Sequence, residues 1–149
     1  MLDPALMDPK DYWRASSIKG AFELGIAVSV EEMPPIDLIV TGCVAVSEDG
    51  VRLGKGGGYS DLEYGLLRHF GKIHEATAVA TSLHSVQLLE SGFIPSAAHD
   101  ISIDLVALPD GIRRFASNPS KPPGIIWDVL PDAKRKAIPV LRDWVTSDT

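Results

Sequence analysis

A glycine-rich loop from Arg52 to Asp61, hereafter the glycine loop, is the part of the sequence best suited to bind a charged ligand; it reads R-L-G-K-G-G-G-Y-S-D. Four of its five residues from 54 to 58 are glycine. Glycine adopts positive φ without steric cost, so this backbone can bring its N–H groups close to a ligand. Arg52 and Lys55 flank the glycines and would neutralise the charge of a phosphate. The loop therefore predicts a site for the phosphates of a nucleotide.

Asp61 adds a second kind of chemistry at the end of the loop. If a helix follows the glycines, its free N–H groups and positive dipole end favour an anion. A carboxylate in that first turn repels a phosphate unless a cation lies between them, so Asp61 suggests Mg²⁺. Two alternatives stay open: Asp61 or Ser60 only caps the helix, or the loop is a plain turn. The loop is neither a Walker A sequence nor G-x-G-x-x-G, because Tyr59 stands where the third glycine belongs.

The elements around the loop predict how it is held. The run from Asp37 to Val46 is apolar nearly throughout, which predicts a central strand buried on both faces, and a turn follows at Ser47 to Gly50. After the loop, apolar residues at helical spacing predict an amphipathic helix from Tyr59 to Phe70. Residues Ala76 to Leu83 predict another strand. A third runs from Ile101 to Leu108 and forms a hairpin with residues 112–115.

The two ends of the chain add helices to this pattern. Residues Pro9 to Leu24 predict a helix, and Gly25 to Val30 is a short β-prone run. Residues 116–123 form a polar loop, and Pro131 to Val145 predicts a helical tail that Pro139 kinks or restarts. Strands and helices in alternation predict an α/β fold with an open, mainly parallel sheet and helices on both faces. We expect one domain over residues 1–149, with a core at 25–115 and a C-terminal tail at 116–149.

Composition narrows the function classes. The chain has 149 residues and a formal net charge of −6, which argues against nucleic-acid binding through phosphates. The basic pair at 113–114 and the basic triplet at 134–136 are each predicted to lie on a solvent-exposed face. Cys43 is the single cysteine and predicts a buried core thiol, and the four histidines show no metal-binding spacing. No apolar run is long enough for a membrane span and no signal peptide is evident, so we expect a cytoplasmic protein.

Two stretches together resemble the 5-formyltetrahydrofolate cyclo-ligase family. The first runs from Asp37 through Gly50 into the glycine loop. The second comprises the run H-S-V-Q from His84 to Gln87, Ile94-Pro95 and the run H-D-I-S-I-D from His99 to Asp104. The resemblance covers about Asp37 to Leu108. The runs at 41–47, 58–64 and 121–127 are similar to the branch called methenyltetrahydrofolate synthetase domain-containing proteins.

The resemblance implies an activity and a set of site residues. Members use ATP and Mg²⁺ to convert 5-formyltetrahydrofolate to 5,10-methenyltetrahydrofolate, with release of ADP and phosphate. The resemblance implies that Arg52 and Lys55 clamp the phosphates and that Tyr59 lines the site. It gives Asp61 and Asp100 as the Mg²⁺ ligands. The residues it implies for the nucleotide are Arg52, Gly54, Lys55, Gly56, Gly57, Gly58 and Tyr59. A ligase with ATP and a folate as its small-molecule partners is therefore expected.

Some positions depart from the family pattern. Ser60 stands where a second aromatic is common, Gly57 where a basic residue is frequent, and Thr41 where proline is usual. Members also carry an N-terminal segment with a lysine for ATP and apolar residues for folate, which has no counterpart ahead of Met1. Two further hypotheses follow: a catalytically inactive nucleotide-binding module of the same fold, and a sugar-phosphate isomerase whose loop holds a substrate phosphate.

Overall fold

The computed structural model describes residues 1–116 and 118–144, in two compact units, Met1–Pro35 and Ile36–Thr149. The first unit contains helices α1 (Tyr12–Ala15) and α2 (Ile18–Leu24). The single helix predicted there is interrupted because the Ser17 hydroxyl accepts a hydrogen bond from the Gly20 N–H, 3.0 Å away, and so begins a new helix. The β-prone run after α2 forms no strand, so that prediction is wrong: its Ile26 N–H donates to the Met1 carbonyl instead.

The second unit contains two mixed sheets. Its strands are β1 (Leu38–Val40), β2 (Ala45–Ser47), β3 (Arg52–Leu53), β4 (Ala78–Ser82), β5 (Leu88–Leu89), β6 (Leu105–Leu108) and β7 (Gly111–Arg114). The first sheet has the order β1-β4-β6-β7, and the second has the order β3-β2-β5. The pairs β1–β4, β4–β6 and β2–β5 are parallel, whereas β2–β3 and β6–β7 are antiparallel. This arrangement confirms the open α/β class.

The long apolar run from Asp37 to Val46 is not the central strand that its composition predicts. It divides into β1, an edge strand on which Leu38 and Val40 are exposed, and β2, which belongs to the other sheet. The chain changes sheets at Gly42 and Cys43. The central parallel strand is β4, between β1 and β6. Cys43 is half-buried and lies 3.2 Å from the Thr81 hydroxyl; it packs against the main core as predicted, but it is not fully buried.

The predicted amphipathic helix is confirmed to within one residue as α3 (Tyr59–His69). Its inner face contributes Tyr64 and Leu67 to the main core. The buried members of that core are Val46, Tyr64, Ile73, Val79, Leu83, Ile101, Ile103, Val106 and Leu108. The predicted hairpin is also confirmed, although its first strand begins only at Leu105. Helix α3 thus shares one core with residues of both sheets, and its N-terminus directly follows the glycine loop.

The C-terminal segment, residues 118–144, contains α4 (Asp132–Ala137) and α5 (Pro139–Trp144). Pro139 is the first residue of α5, where a missing N–H removes no helical hydrogen bond, so the predicted restart is confirmed. Val145, the predicted end of this helix, lies outside the described residues. Within the described ranges, none of the helices combines the length and the apolar character needed to cross a membrane.

An ion pair whose lysine side chain is nearly buried attaches the C-terminal segment to the first sheet. Lys121 Nζ lies 2.5 Å from Asp104 Oδ2, and its side chain is only 7% exposed. The Val79 N–H donates to the same carboxylate at 2.7 Å, and Asn118 Nδ2 does so at 2.7 Å. Burial by itself would raise the pKa of Asp104, but these donors and the Lys121 charge outweigh it and hold the pKa below the ordinary value. The contacts explain how a polar loop is fixed in place.

Candidate anion site at the glycine loop

A cavity of about 570 Å³ lies over the glycine loop. All the side chains and glycines proposed from the sequence line it: Arg52, Gly54, Lys55, Gly56, Gly57, Gly58, Tyr59, Asp61 and Asp100. Gly42, Ile94, Pro95, His99 and Lys134 line it as well. Residues that are far apart in the sequence therefore share one cavity. Their individual roles stay predictions.

The backbone of the loop leaves the start of α3 without a side-chain cap. Gly56 and Gly58 have φ of +81° and +64°, a region that glycine enters readily and other residues do not. Gly58 is the N-cap residue of α3, and no side chain there accepts a hydrogen bond from the first turn. Asp61 accepts hydrogen bonds from Arg52 and the Ile101 N–H, and Ser60 accepts one from Thr41, so capping alone does not account for either residue. The uncapped helix end borders the cavity.

Arg52 and Asp61 bind each other across the loop. Arg52 Nη2 lies 2.9 Å and 3.0 Å from the two carboxylate oxygens of Asp61, and Nη1 donates to the Gly42 carbonyl at 3.3 Å. Their side chains are only 6% and 12% exposed. The buried Arg52 Nε makes no hydrogen bond within the described part of the chain. The side chain of Arg52 borders the cavity, but this nitrogen is itself closed off from solvent, so it leaves an unmet hydrogen bond beneath the loop.

Asp61 also connects the loop to the second predicted motif. Its Oδ1 accepts a hydrogen bond from the Ile101 N–H at 3.1 Å, which brings Asp61 beside the residue that follows Asp100. Asp100 Oδ2 accepts from the Ala97 N–H at 2.8 Å, and Oδ1 lies 3.6 Å from His99 Nε2. From the sequence, two interpretations of His99 were open: a surface residue, or a residue that orients Asp100. The structure places it half-exposed on the cavity wall, in ion-pair range of that carboxylate.

The two carboxylates are compatible with Mg²⁺ held mainly by phosphates. Mg²⁺ is commonly bound through one or two carboxylates together with substrate phosphates and water. Asp61 and Asp100 both line the cavity, and a carboxylate has about four acceptor positions, of which Asp61 uses three. Among residues 1–116 and 118–144, no group of three or more His, Cys, Asp or Glu is arranged to hold a metal. Such a group is not needed for an ion that a phosphate chain coordinates.

Lys134 belongs to the cavity although its sequence context predicted a solvated face. Its ammonium donates to the Gly57 carbonyl and lies 5.8 Å from the centre of the Tyr59 ring. It reaches the loop from α4, 77 residues further along the chain. The run Lys134-Arg135-Lys136 contains no signal that separates the first lysine from the others. Only the packing of the C-terminal segment against α3 identifies it.

A smaller apolar cleft adjoins the main cavity. Its volume is about 90 Å³, and it shares Gly58, Asp61, His99 and Lys134 with the main cavity. Its remaining walls are Leu62 and six residues of the C-terminal segment, Gly124, Ile125, Ile126, Val129, Leu130 and Pro131. The segment packs closely here, since a Cβ on Gly65 would come 3.0 Å from Ile125. The C-terminal segment thus forms a wall of the site.

Two of the departures from the family pattern contact each other. The Thr41 hydroxyl donates to the Ser60 hydroxyl at 3.2 Å. This bond joins the end of β1 to the first turn of α3. A proline at 41 has no hydroxyl donor, and an aromatic at 60 without a hydroxyl has no acceptor at this place. The two polar residues therefore form a local pair.

The fold and the loop together define an open α/β protein with a glycine-rich junction between a strand and a helix. A model of the 5-formyltetrahydrofolate cyclo-ligase family matches residues 19–109, and the chain belongs to this family. It is 34% identical over 127 residues to a methenyltetrahydrofolate synthase domain-containing protein of Danio rerio, covering 85% of the chain and 33% of that protein. The corresponding protein of Mus musculus is 35% identical over 133 residues, covering 87% of the chain and 35% of that protein.

A plant relative extends the comparison to a protein named as a cyclo-ligase. The mitochondrial 5-formyltetrahydrofolate cyclo-ligase of Arabidopsis thaliana is 39% identical over 83 residues, which cover 52% of the chain and 29% of that protein. The chain spans about a third of the length of the curated relatives it matches first. These findings confirm the resemblance drawn from the glycine loop and from the run around Asp100.

Proposed function

We propose that the chain binds ATP with Mg²⁺ over the glycine loop and converts 5-formyltetrahydrofolate to 5,10-methenyltetrahydrofolate. The observation that carries this proposal is the convergence of the loop, the uncapped N-terminus of α3 and the cations Arg52 and Lys55 on one cavity. Backbone N–H groups and a helix N-terminus are suited to phosphate oxygens. Membership of the cyclo-ligase family supports a folate as the second substrate.

In the proposed reaction, the formyl oxygen attacks the γ-phosphorus of ATP and the bond to the β–γ bridging oxygen breaks, which releases ADP. The N10 amine then attacks the activated formyl carbon. The carbon–oxygen bond breaks, phosphate leaves with that oxygen, and the N10 proton is lost. The protein's contribution is to align the reacting atoms and to stabilise negative charge on the phosphoryl group.

The residues of the cavity divide these tasks. Lys55 is exposed on the loop and supplies an ammonium group for the phosphates. Arg52 is held at its place by Asp61 and supplies a fixed positive charge beside the phosphates. Asp61 and Asp100 would hold Mg²⁺, which supplies charge neutralisation between the phosphate oxygens. The exposed Tyr59 ring forms part of the wall against which the nucleotide lies.

The direct test follows the near-ultraviolet absorbance of methenyltetrahydrofolate after the chain is mixed with ATP, Mg²⁺ and 5-formyltetrahydrofolate. We expect an increase that requires all three components and that is lost in Asp100→Asn. Asp110→Asn is the matched control, because Asp110 is exposed in the β6–β7 turn and does not line the cavity. No increase from the folded wild-type chain would remove the catalytic part of the proposal.

A second candidate is a nucleotide-binding module without turnover. The Arg52–Asp61 ion pair favours it, because each side chain already has a charged partner and would have to share it with the ligand. Calorimetric binding of ATP without phosphate release or an absorbance change would identify this case.

Mg²⁺-independent binding of sugar phosphates would instead support the isomerase hypothesis. The cytoplasm stays a prediction for the compartment, and the Arabidopsis relative is named as mitochondrial.

A further inference from the structure

We propose that Lys134 is a phosphate-binding residue of this site and that the C-terminal segment thereby completes a pocket for a polyphosphate. The inference rests on the proposed nucleotide site but not on turnover. It assigns a role to a part of the chain beyond the residues matched by the family model, which end at 109.

The position of the Lys134 ammonium is the first argument. It donates to the Gly57 carbonyl, and a Cβ built on Gly58 would lie 2.8 Å from it. Gly58 is the N-cap residue of α3, so the ammonium stands at the entrance to the helix N-terminus. It also lines both the main cavity and the apolar cleft. The Lys134 side chain, which comes from α4, therefore ends beside the backbone N–H groups of the glycine loop.

The local charge is the second argument. The positive end of the α3 dipole attracts anions and repels a cation such as Lys134. Arg52 and Lys55 line the same cavity, so three side-chain cations face two carboxylates in a chain whose net charge is −6. Asp61 is already paired with Arg52. An excess of positive charge around an uncapped helix end is stabilised by an anion with several charges.

The hydrogen-bond partner of Lys134 gives a third argument. Lys134 uses a neutral backbone carbonyl as its acceptor. A phosphate oxygen would provide a charge-assisted bond, which is about twice as strong as a neutral one. Lys55 and Lys134 border the same cavity, so one polyphosphate can bind both ammonium groups.

The experiment uses inorganic tripolyphosphate and ATP, each with and without Mg²⁺, as calorimetric probes of the whole chain. In Lys134→Gln we expect both dissociation constants to rise by about ten- to a hundredfold, the loss expected of one charge-assisted hydrogen bond. Lys134→Arg should keep binding within about threefold, because a guanidinium retains the charge and the donors. The salt dependence of binding should also become shallower in the glutamine variant, since one fewer ionic contact is made.

Lys136→Gln is the matched control, because it removes the same charge from the same helix at an exposed position outside the cavity. Equal affinities of Lys134→Gln and Lys136→Gln, with wild-type binding intact, would overturn the inference. Failure of the wild-type chain to bind either probe would overturn both the inference and the proposed nucleotide site. Lys134-dependent binding without methenyltetrahydrofolate formation would uphold the inference and remove only the catalytic proposal.

Discussion

Arg52 Nη2 bonds to both carboxylate oxygens of Asp61, at 2.9 Å and 3.0 Å, and this contact joins the strand before the glycine loop to the helix after it. The two residues are nine positions apart and nearly buried. The ion pair therefore holds the two ends of the loop together. The backbone conformation of the glycines between them sets the directions of the loop N–H groups. The Arg52–Asp61 pair thus contributes both to the shape of the loop and to its charge.

We expect Asp61→Asn to lower the free energy of unfolding by about 2–4 kcal/mol, because it leaves the Arg52 guanidinium buried without a charged partner. Urea denaturation would measure this change. Arg52→Gln and the double variant would complete a double-mutant cycle, with a coupling energy of at least about 1 kcal/mol. Asp110→Asn, on an exposed turn, should change stability by less than about 0.5 kcal/mol. Additive losses in the cycle would show that the pair does not stabilise the fold.

Gly56 lies at φ +81°, and a Cβ added there would meet no atom within 4 Å, so the requirement for glycine at this position is conformational. We expect Gly56→Ala to lower stability by about 1 kcal/mol and to weaken ATP binding at least about tenfold, because the altered backbone redirects the loop N–H groups. Thermal unfolding and calorimetry would measure the two effects.

Gly71 offers a matched control for that substitution. It has φ +65°, also lies in open space, and is outside the cavity. Gly71→Ala should show the same loss of stability of about 1 kcal/mol with unchanged ATP affinity. If both alanine variants bind ATP equally well, the loop backbone does not contact the phosphates.

Asp100 is expected to set the Mg²⁺ requirement. Asp100→Asn should raise the Mg²⁺ concentration needed for half-maximal ATP binding by about tenfold or more, because an amide oxygen lacks the charge that favours a hard cation. A Mg²⁺ titration monitored by ATP affinity would measure it. The fold should persist, because the asparagine side-chain oxygen can still accept from the Ala97 N–H. An unchanged Mg²⁺ requirement would exclude Asp100 as a ligand.

The lowered pKa of Asp104 predicts how the free energy of unfolding depends on pH. Its pKa is lowered in the folded chain, so the unfolded chain binds more protons as the pH falls. The stabilisation is fully present above the ordinary value near 3.8 and is lost as the pH drops through the folded pKa. In urea denaturation, the free energy of unfolding of the wild type should therefore fall more steeply below about pH 4 than that of Asp104→Asn.

The same variant tests how much the Asp104–Lys121 ion pair stabilises the fold at neutral pH. At about pH 7, Asp104→Asn should be about 2–4 kcal/mol less stable, because Lys121 is 7% exposed and would lose its charged partner. Asp128→Asn, at an exposed position of the same C-terminal region, should leave both the stability and its pH dependence unchanged. Parallel pH profiles of the wild type and Asp104→Asn would contradict the assignment.

The sequence by itself determined the elements and motifs whose signals are local. Helix α3 follows from apolar residues at a spacing of three to four, the β6–β7 hairpin from its turn residues, and the loop from its glycines. The family also follows from short runs of residues. The strand from Asp37 to Val46 was wrongly predicted because an apolar run does not record whether it is central or at an edge, or where it changes sheets.

Only the tertiary structure decided which charged groups meet. Nothing local indicates that Arg52 binds Asp61, that Thr41 pairs with Ser60, or that Lys134 reaches Gly57 from 77 residues away. Position 57 is a glycine, and the cation beside it comes from the C-terminal segment. Local composition fixes backbone preferences within a few residues, whereas ion pairs and cavities depend on long-range packing that brings distant side chains together.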